Sequence, residues 1–300
     1  MPSEPFVLSG KAPRFWLLPL IAIPAAILSA FLYAWIDVYS PIAGYVSILF
    51  VLGLACGAAF PVSFAGRLFK VRSITQMRAA GVLTGVLTLY FAWAFFAWVL
   101  LRRESQEAPS MWFWLQTPAA VWDFANVVAG EGWYTIRSVT PSGIVLWILW
   151  GIEAVIVLGA GYVLAPAGIR GAGFCEDCDS WMTVQQHVVI PVANGQLASH
   201  VRKEGLAGVH EVEPPSTRQP RTLDIHTQRC PHCQQQAVYR VDDTHTVKTD
   251  KGTQQQAVPL IPLSWLRAHE QAEFDRITSL LEAADAARFA ALKQKPTAAS

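Results

Sequence analysis

Long apolar runs dominate the first part of the chain. Each run exceeds 20 residues and lacks the polar stripe, at three- or four-residue spacing, that a surface helix of a soluble protein would show. About 20 residues of helix cross the roughly 30 Å hydrocarbon core of a bilayer. We therefore predict an α-helical transmembrane bundle within residues 1–166, with four spans at residues 15–36, 42–66, 79–101 and 143–166.

The pattern changes at residue 167, where short β-forming runs and amphipathic segments replace the apolar runs. This change predicts a small α+β domain over residues 167–300, ending in a long helix that Ser264 caps. The other expected elements are strands at 181–192, 222–229, 237–241, 244–248 and 254–261, a helix at 196–205, a Pro-rich link at 213–220 and a turn at Asp250-Lys251-Gly252.

Residues 103–142, between the third and fourth spans, are expected to lie outside the membrane and to contain an interfacial helix. Thr117 suits the N-cap of a helix whose first residue is Pro118, and Gly130 suits its end. Tryptophan favours the headgroup level of a bilayer. The segment carries four tryptophans, Trp112, Trp114, Trp122 and Trp133.

Basic residues near the spans predict the orientation, because cytoplasmic loops are enriched in Lys and Arg. Lys11 and Arg14 precede the first span, and residues 67–78 hold four further basic side chains. Arg102 and Arg103 argue the other way, but two glutamates follow them. We expect a multi-pass protein of the bacterial inner (cytoplasmic) membrane, with its N-terminus and C-terminus in the cytoplasm.

Two glycine pairs lie one helical turn apart in the second and third spans, Gly53 with Gly57 and Gly81 with Gly85. Small residues at this spacing let helices approach closely in lipid. The spacing predicts close helix packing. It leaves open whether the facing helix belongs to the same chain or to a second copy in a homo-oligomer.

Glu153 is the single charged residue within the four apolar runs. An ionisable group at membrane depth is costly and is a functional candidate by default. Its carboxylate could bond a neighbouring helix or reach the outer surface, or it could belong to a proton or cation pathway. The pathway interpretation underlies an alternative hypothesis, a transporter or channel subunit. Cys56, in the second span, is expected to be a packing residue.

Four of the five cysteines form two Cys-x-x-Cys pairs, Cys175 with Cys178 and Cys230 with Cys233. Each pair can bring two thiolates to one ion, so two pairs predict a tetrahedral metal site. The two pairs resemble the zinc-ribbon class of four-cysteine domains, a resemblance that covers only these short stretches and implies a structural Zn²⁺. A reducing cytosol favours metal-bound thiolates over disulfides. Few large apolar residues are expected in the sheet, so folding should depend on the ion.

Other chemistry uses the same sulfur atoms. Zn²⁺ and iron share tetrahedral all-sulfur geometry, so iron is an alternative ion. Residues 230–233 resemble a rubredoxin knuckle, although Asp179 and Gln234 stand where such knuckles carry Gly. A membrane-tethered rubredoxin-like or thiol redox protein is therefore a second alternative. The histidines of the expected strands, His187, His226 and His245, are interpreted as sheet-surface residues.

The charge balance and the sequence motifs limit the range of functions that the sequence supports. Residues 167–300 carry 14 basic and 15 acidic side chains, a balance that argues against a nucleic-acid partner. The chain has no Gly-rich phosphate loop, nucleophile elbow or His-Glu-x-x-His sequence, so no catalytic residue is assigned. The sequence favours a non-enzymatic binding, scaffold or regulatory role, in contact with the bilayer and with a cytosolic or membrane protein partner.

Overall fold

The computed structural model describes residues 4–40, 47–105, 107–132, 140–191, 196–209, 221–249 and 252–294. The chain divides into two compact units. Residues 9–170 form the helical unit. Residues up to Leu8 join those from Gly171 onward in the cysteine domain, the unit that carries both Cys-x-x-Cys pairs. The predicted Pro-rich link, Trp133 and the turn residues Asp250 and Lys251 lie outside the described residues.

Four helices of the helical unit are long and apolar enough to cross a membrane, which confirms that part of the prediction. Two shorter helices separate the third long helix from the fourth. In chain order the helices are α1 (Pro19–Tyr39), α2 (Ser47–Leu68), α3 (Ile74–Glu104), α4 (Met111–Gln116), α5 (Pro118–Glu131) and α6 (Ile144–Leu164).

Two helix boundaries differ from the predicted spans. Helix α1 continues to Tyr39, so Asp37 lies inside the helix rather than in the following turn. Helix α3 begins at Ile74, ahead of the apolar run, because Ser73 caps it: the Ser73 hydroxyl accepts a hydrogen bond from the backbone N–H of Gln76 at 3.3 Å. Polar residues can therefore occupy the first turns of α3.

Helix α5 begins at Pro118, as predicted, but it ends at Glu131. Gly132, with φ of 86°, follows its last turn, so the prediction that Gly130 ends the helix is wrong. A positive φ is sterically unfavourable for residues with a side chain but not for glycine, so Gly132 can end the helix in this conformation. Trp122 is exposed, whereas other apolar residues of α5 are buried. Those buried residues are Val121, Ala125, Val128 and Ala129.

Helix α4 was not predicted from the sequence. Its six residues are too few to show a hydrophobic period. The Ser110 hydroxyl caps it by accepting a hydrogen bond from the backbone N–H of Phe113 at 3.4 Å. Trp114 is buried, and Trp112 is exposed. The helix thus anchors one of the tryptophans of this segment inside the helical unit.

Glycines bring α3 and α6 into backbone contact. A methyl group added at Gly81 would lie 2.1 Å from the carbonyl oxygen of Gly161, and one added at Gly161 would lie 2.4 Å from that of Gly81. A methyl group at Gly85 would lie 3.1 Å from the Leu158 side chain. The glycine pair of α3 therefore packs within the chain. Gly53 has nothing within 4 Å of such a methyl group.

Hydrogen bonds define the two ends of the helical bundle. At one end the backbone N–H of Arg72 donates to the Lys11 carbonyl at 2.8 Å, and that of Gly168 donates to the Ser63 hydroxyl at 2.7 Å. At the other end the Arg103 guanidinium donates to the Val38 carbonyl at 2.8 Å. Successive long helices therefore run in opposite directions, and the segments before α1, between α2 and α3 and after α6 share one end.

The cysteine domain contains a two-stranded hairpin and a four-stranded antiparallel sheet whose strands follow chain order. The hairpin comprises β1 (Phe174–Cys175) and β2 (Ser180–Trp181). The sheet comprises β3 (Thr183–Pro191), β4 (Arg221–Arg229), β5 (Ala237–Thr249) and β6 (Gly252–Trp265). Helix α7 (Gln196–Glu204) follows β3, and helix α8 (Ala268–Gln294) follows β6.

The sheet and its helices enclose an apolar core that contains no cysteine. Tyr239 of β5 and Phe274 of α8 are its largest side chains, both almost fully buried. The expectation of a sheet with few large apolar residues is therefore wrong. If the domain binds an ion, the stability of the residues near the cysteines, outside this core, should depend on it most. The other buried members of the core are Ile190, Ala198, Val201, Leu206, Val209, Leu223, Ile225, Val241, Ile261 and Ile277.

Ser264 does not cap the last helix. It lies fully buried in β6, and its hydroxyl donates to the Pro262 carbonyl at 2.8 Å. Helix α8 starts at Ala268, where the Glu270 carboxylate accepts a hydrogen bond from the backbone N–H of Arg267 at 2.9 Å. This bond is the glutamate half of a capping box. Pairing of the Ser264 backbone in the sheet outweighed its local capping preference.

We expect Gly81→Ala to destabilise the helical unit by about 1–3 kcal/mol, the usual cost of overpacking a close contact. The added methyl group would meet the Gly161 carbonyl, which belongs to a helix backbone and cannot move alone. Thermal unfolding of the purified protein in detergent would measure the loss. Gly53→Ala is the matched control and should cost nothing, because the space around Gly53 is open. Equal melting temperatures for the two variants would contradict the proposed α3–α6 contact.

Candidate metal centre

The first Cys-x-x-Cys pair lies on the short hairpin of the cysteine domain. Cys175 pairs with Ser180 across β1 and β2, and the turn between them carries Cys178. Asp179, directly after this turn cysteine, has φ of 45°. The side chain of Gln228 in β4 ties the hairpin to the sheet, since it accepts from the backbone N–H of Gly173 and donates to the Gly171 carbonyl, both at 2.8 Å. The hairpin is thus held against the strand that leads to the second pair.

The second pair lies in the connection between β4 and β5. The backbone N–H of Cys230 donates to the Gln236 carbonyl at 2.9 Å, and that of Gln234 donates to the Cys230 carbonyl at 3.2 Å. Gln234, directly after Cys233, has φ of 57°. Both knuckles therefore adopt the left-handed turn that Gly usually occupies, with Asp179 and Gln234 in its place. The absence of Gly at these positions does not prevent the knuckle conformation.

The four sulfur atoms meet at one point. The sulfurs of Cys175, Cys178, Cys230 and Cys233 all lie within 4.8 Å of one another, and the Cys175–Cys233 pair is 3.9 Å apart. Around an ion with metal–sulfur bonds of about 2.3 Å, the edges of a sulfur tetrahedron measure about 3.8 Å. The donor set therefore fits a tetrahedral ion after small movements of the side chains.

Contacts outside the ligand shell join the two knuckles. The Gln236 side chain donates to the Asp177 carboxylate at 2.7 Å, and the Ser180 hydroxyl lies 3.6 Å from the Cys230 sulfur. Arg229 donates to the Gln234 carbonyl at 2.9 Å and brings a positive charge beside the second knuckle. Four thiolates around a divalent ion carry a net negative charge, so a neighbouring cation is favourable.

The surroundings of the thiols differ. Burial raises the pKa of Cys175 to about 12. Burial acts in the same direction on Cys230, but hydrogen bonds from the backbone N–H groups of Cys233 and His232 outweigh it and lower the pKa to about 6. Backbone N–H groups of Gln236 and Gln235 also lower the pKa of Cys233. A metal ligand must be a thiolate, so an ion that binds here displaces protons, chiefly from the first pair.

An apolar shell surrounds the sulfurs, and the N-terminal segment completes it. Phe6 packs against the cluster formed by the cysteines, Met182 and Val238. Its ring meets the Trp265 ring edge-to-face, with centroids 5.0 Å apart. Its backbone N–H donates to the Leu263 carbonyl at 2.8 Å, which adds the segment to the edge of β6. Sequence reasoning missed this contact, because the segment before the first apolar run carries no strand pattern.

The histidines of the sheet do not form a second group of three or more metal ligands among the described residues. His187 and His226 stack face to face on β3 and β4, with ring centroids 4.2 Å apart, and His245 lies on β5. Among the described residues, only the four cysteines form a group of three or more His, Cys, Asp or Glu ligands close enough for one ion. Cys56 lies alone in α2, far along the chain from this group.

We expect Cys230→Ser to reduce the metal content of the purified chain from about one ion per chain to near zero, because a tetrahedral site then lacks one of its four thiolates. Elemental analysis would identify the ion and measure the loss. Cys56→Ser is the matched control, since it removes a thiol from α2 and should leave the metal content unchanged. Full metal retention in Cys230→Ser would contradict coordination by these four cysteines.

Phe6→Ala should weaken the shell of the site by about 1–3 kcal/mol, less than the 3–5 kcal/mol typical of a fully buried phenylalanine. Phe6 is only half-buried, but it covers the cysteine cluster. A chelator should therefore remove the ion faster from this variant, as followed with a chromogenic chelator. Val7→Ala is the control, because Val7 is 78% exposed in the same segment. Identical release rates would show that the segment does not protect the site.

Both knuckles open into antiparallel strand pairs, the first between β1 and β2 and the second between β4 and β5. This is the feature that resembles the zinc-ribbon class. Comparison of the chain with protein-family models, with curated proteins and with solved structures found no match. The resemblance is therefore confined to the two knuckles.

Proposed function

We propose that this chain is an integral membrane protein whose cysteine domain is stabilised by a structural Zn²⁺ and binds a protein partner on the cytosolic side of a bacterial inner membrane. The convergence of four cysteine sulfurs within 4.8 Å carries the proposal. A site with four protein thiolates leaves no open position for substrate or water, which is typical of structural rather than catalytic zinc.

The choice of zinc over iron follows from the expected role. Soft thiolates suit both ions, but a redox centre exchanges electrons with a partner or a second group. Phe6 and Trp265 pack against the cysteine cluster and cover it. A covered site suits a structural ion such as Zn²⁺ better than a centre that must pass electrons to a partner. Iron in the purified chain would instead support the rubredoxin-like alternative.

Two observations support cytosolic termini. Residues up to Leu8 and residues from Gly171 belong to one compact unit, so the chain between them must cross a bilayer an even number of times. Lys11, Arg72 and Gly168 lie at the same end of the helical unit. That end holds the basic link at residues 67–78, and a high density of Lys and Arg favours the cytoplasmic side.

The cysteine domain offers a protruding surface to a partner. Strands β5 and β6 extend beyond β4, because the last pairing of β4 with β5 joins Arg221 to His245. The extension comprises residues 246–249 and 252–255, and residues 252–255 of β6 are exposed. Within the described chain no strand pairs with the outer edge of residues 253–255. A partner strand could add to that edge through backbone hydrogen bonds.

Trypsin treatment of membrane vesicles, with and without a metal chelator, would test the metal role and the orientation together. In inside-out vesicles we expect the bond after Arg229 to resist cleavage until the chelator is added. The Arg229 guanidinium donates to the Gln234 carbonyl of the second knuckle at 2.9 Å and to the Gln271 side chain of α8 at 2.7 Å, so an ordered knuckle helps to hold Arg229 in place. Mass spectrometry of the fragments would locate the cut.

Intact spheroplasts should show no cut after Arg229 in either condition, because the cysteine domain then faces the protected interior. The Cys230→Ser variant should be cut in inside-out vesicles without a chelator. Cleavage in spheroplasts would reverse the proposed orientation. Cleavage that does not respond to the chelator or to Cys230→Ser would contradict a structural ion.

A further inference from the structure

Two neighbouring cavities lie inside the helical unit and share one wall. The smaller, of about 60 Å³, lies among α1, α2, α3 and α6, and the larger, of about 390 Å³, lies among α3, α5 and α6. Their common wall consists of Leu89, Trp93, Trp150 and Glu153. The larger cavity falls within the size range of about 300–1,000 Å³ that is usual for small-molecule sites.

Four tryptophan rings line part of the larger cavity. Trp93 and Trp150 meet edge-to-face with centroids 4.6 Å apart, and Trp150 meets Trp147 in the same way at 5.2 Å. Trp122 contacts Trp147 with centroids 5.1 Å apart. These four rings from α3, α5 and α6 hold one another in place. The faces of tryptophan rings attract positively charged groups, more strongly than those of tyrosine or phenylalanine.

Glu153 supplies a carboxyl group to this wall. It is the tenth of the 21 residues of α6 and thus lies near the middle of the helix. Among the described residues, none donates a hydrogen bond to its carboxylate or forms an ion pair with it. The second carboxylate of the smaller cavity belongs to Asp37, and the residues that line the two cavities include no Lys, Arg or His.

We propose that the larger cavity binds a lipophilic organic cation, with its charged centre beside Glu153 and against the tryptophan wall. This inference rests on the proposed insertion of the four helices, since a carboxylate at membrane depth is costly without a counter-charge. A hard metal ion would need several oxygen ligands, whereas the larger cavity offers one carboxylate among mainly apolar and aromatic side chains. The apolar body of the ligand would lie against Val121 and Ala125 of α5.

Binding of benzyltrimethylammonium to the purified full-length protein, in a neutral detergent, would test the proposal. Tryptophan fluorescence is a direct signal, because four of the twelve tryptophans line the cavity. We expect a saturable fluorescence change, and the affinity should fall at least tenfold in Glu153→Gln. Benzyl alcohol, a neutral aromatic ligand, should bind more weakly than the cation and should not distinguish the two proteins.

Two matched controls separate binding from folding. Glu131→Gln neutralises an exposed carboxylate at the end of α5 and should bind the cation as the parent does. Trp150→Leu should weaken binding at least threefold, whereas Trp112→Leu, which changes a tryptophan with 64% exposure, should not. Trp150→Leu also keeps the proposal testable if Glu153→Gln fails to fold.

Three results would overturn the proposal: equal cation affinity in the parent and Glu153→Gln, equal affinity for benzyl alcohol and the cation, or no saturable binding. The metal content and the trypsin resistance at Arg229 should stay unchanged in every cavity variant, because those properties belong to the cysteine domain. Loss of cation binding with a normal cysteine domain therefore concerns the cavity alone. A negative metal test would not change the conclusion drawn about the cavity.

Discussion

Convergence of four cysteine sulfurs is the constraint on which the cysteine domain depends. The two knuckles are separated by 51 residues, yet their sulfurs lie within 4.8 Å of one another. Such a set of thiols is unfavourable without an ion, because buried thiolates repel one another and buried thiols leave their hydrogen-bonding capacity unused. A divalent ion bound there would remove both costs. The bonds from Gln228 and Gln236 connect the same segments outside the sulfur cluster.

The cysteine domain divides its stability between two centres. The sheet and helices α7 and α8 enclose an apolar core with Tyr239 and Phe274 at its middle, and the sulfur cluster lies outside that core with a shell of its own. The first centre follows from ordinary burial of apolar surface. The second consists of the sulfur cluster and the residues that cover it, Phe6 among them. If an ion binds the cluster, its loss should act on the knuckles and on Phe6 before it acts on the sheet.

In the helical unit too, the residues that bring the helices together differ from the residues that line a candidate binding site. Gly81 and Gly161 let two helices touch through their backbones, which is how helices associate where apolar burial gives no driving force. Farther along the same two helices, Glu153 and the tryptophans line a cavity that α5 completes. The α3–α6 contact thus combines close packing at glycines with a mainly apolar and aromatic cavity that one carboxyl group also lines.

The sequence alone determined features that depend on local chemistry. Apolar runs identified the four long helices, cysteine spacing identified the four cysteines that converge, and Pro118 marked the start of α5, because each property belongs to neighbouring residues. Which distant segments meet is visible only in the folded chain: Phe6 packs on the cysteine cluster, Gly161 faces Gly81, and Glu153 lies in one cavity wall with tryptophans. It also placed Ser264 in a strand, since pairing across the sheet outweighs a capping preference. Contacts between remote residues depend on how whole elements pack, and no local pattern records that packing.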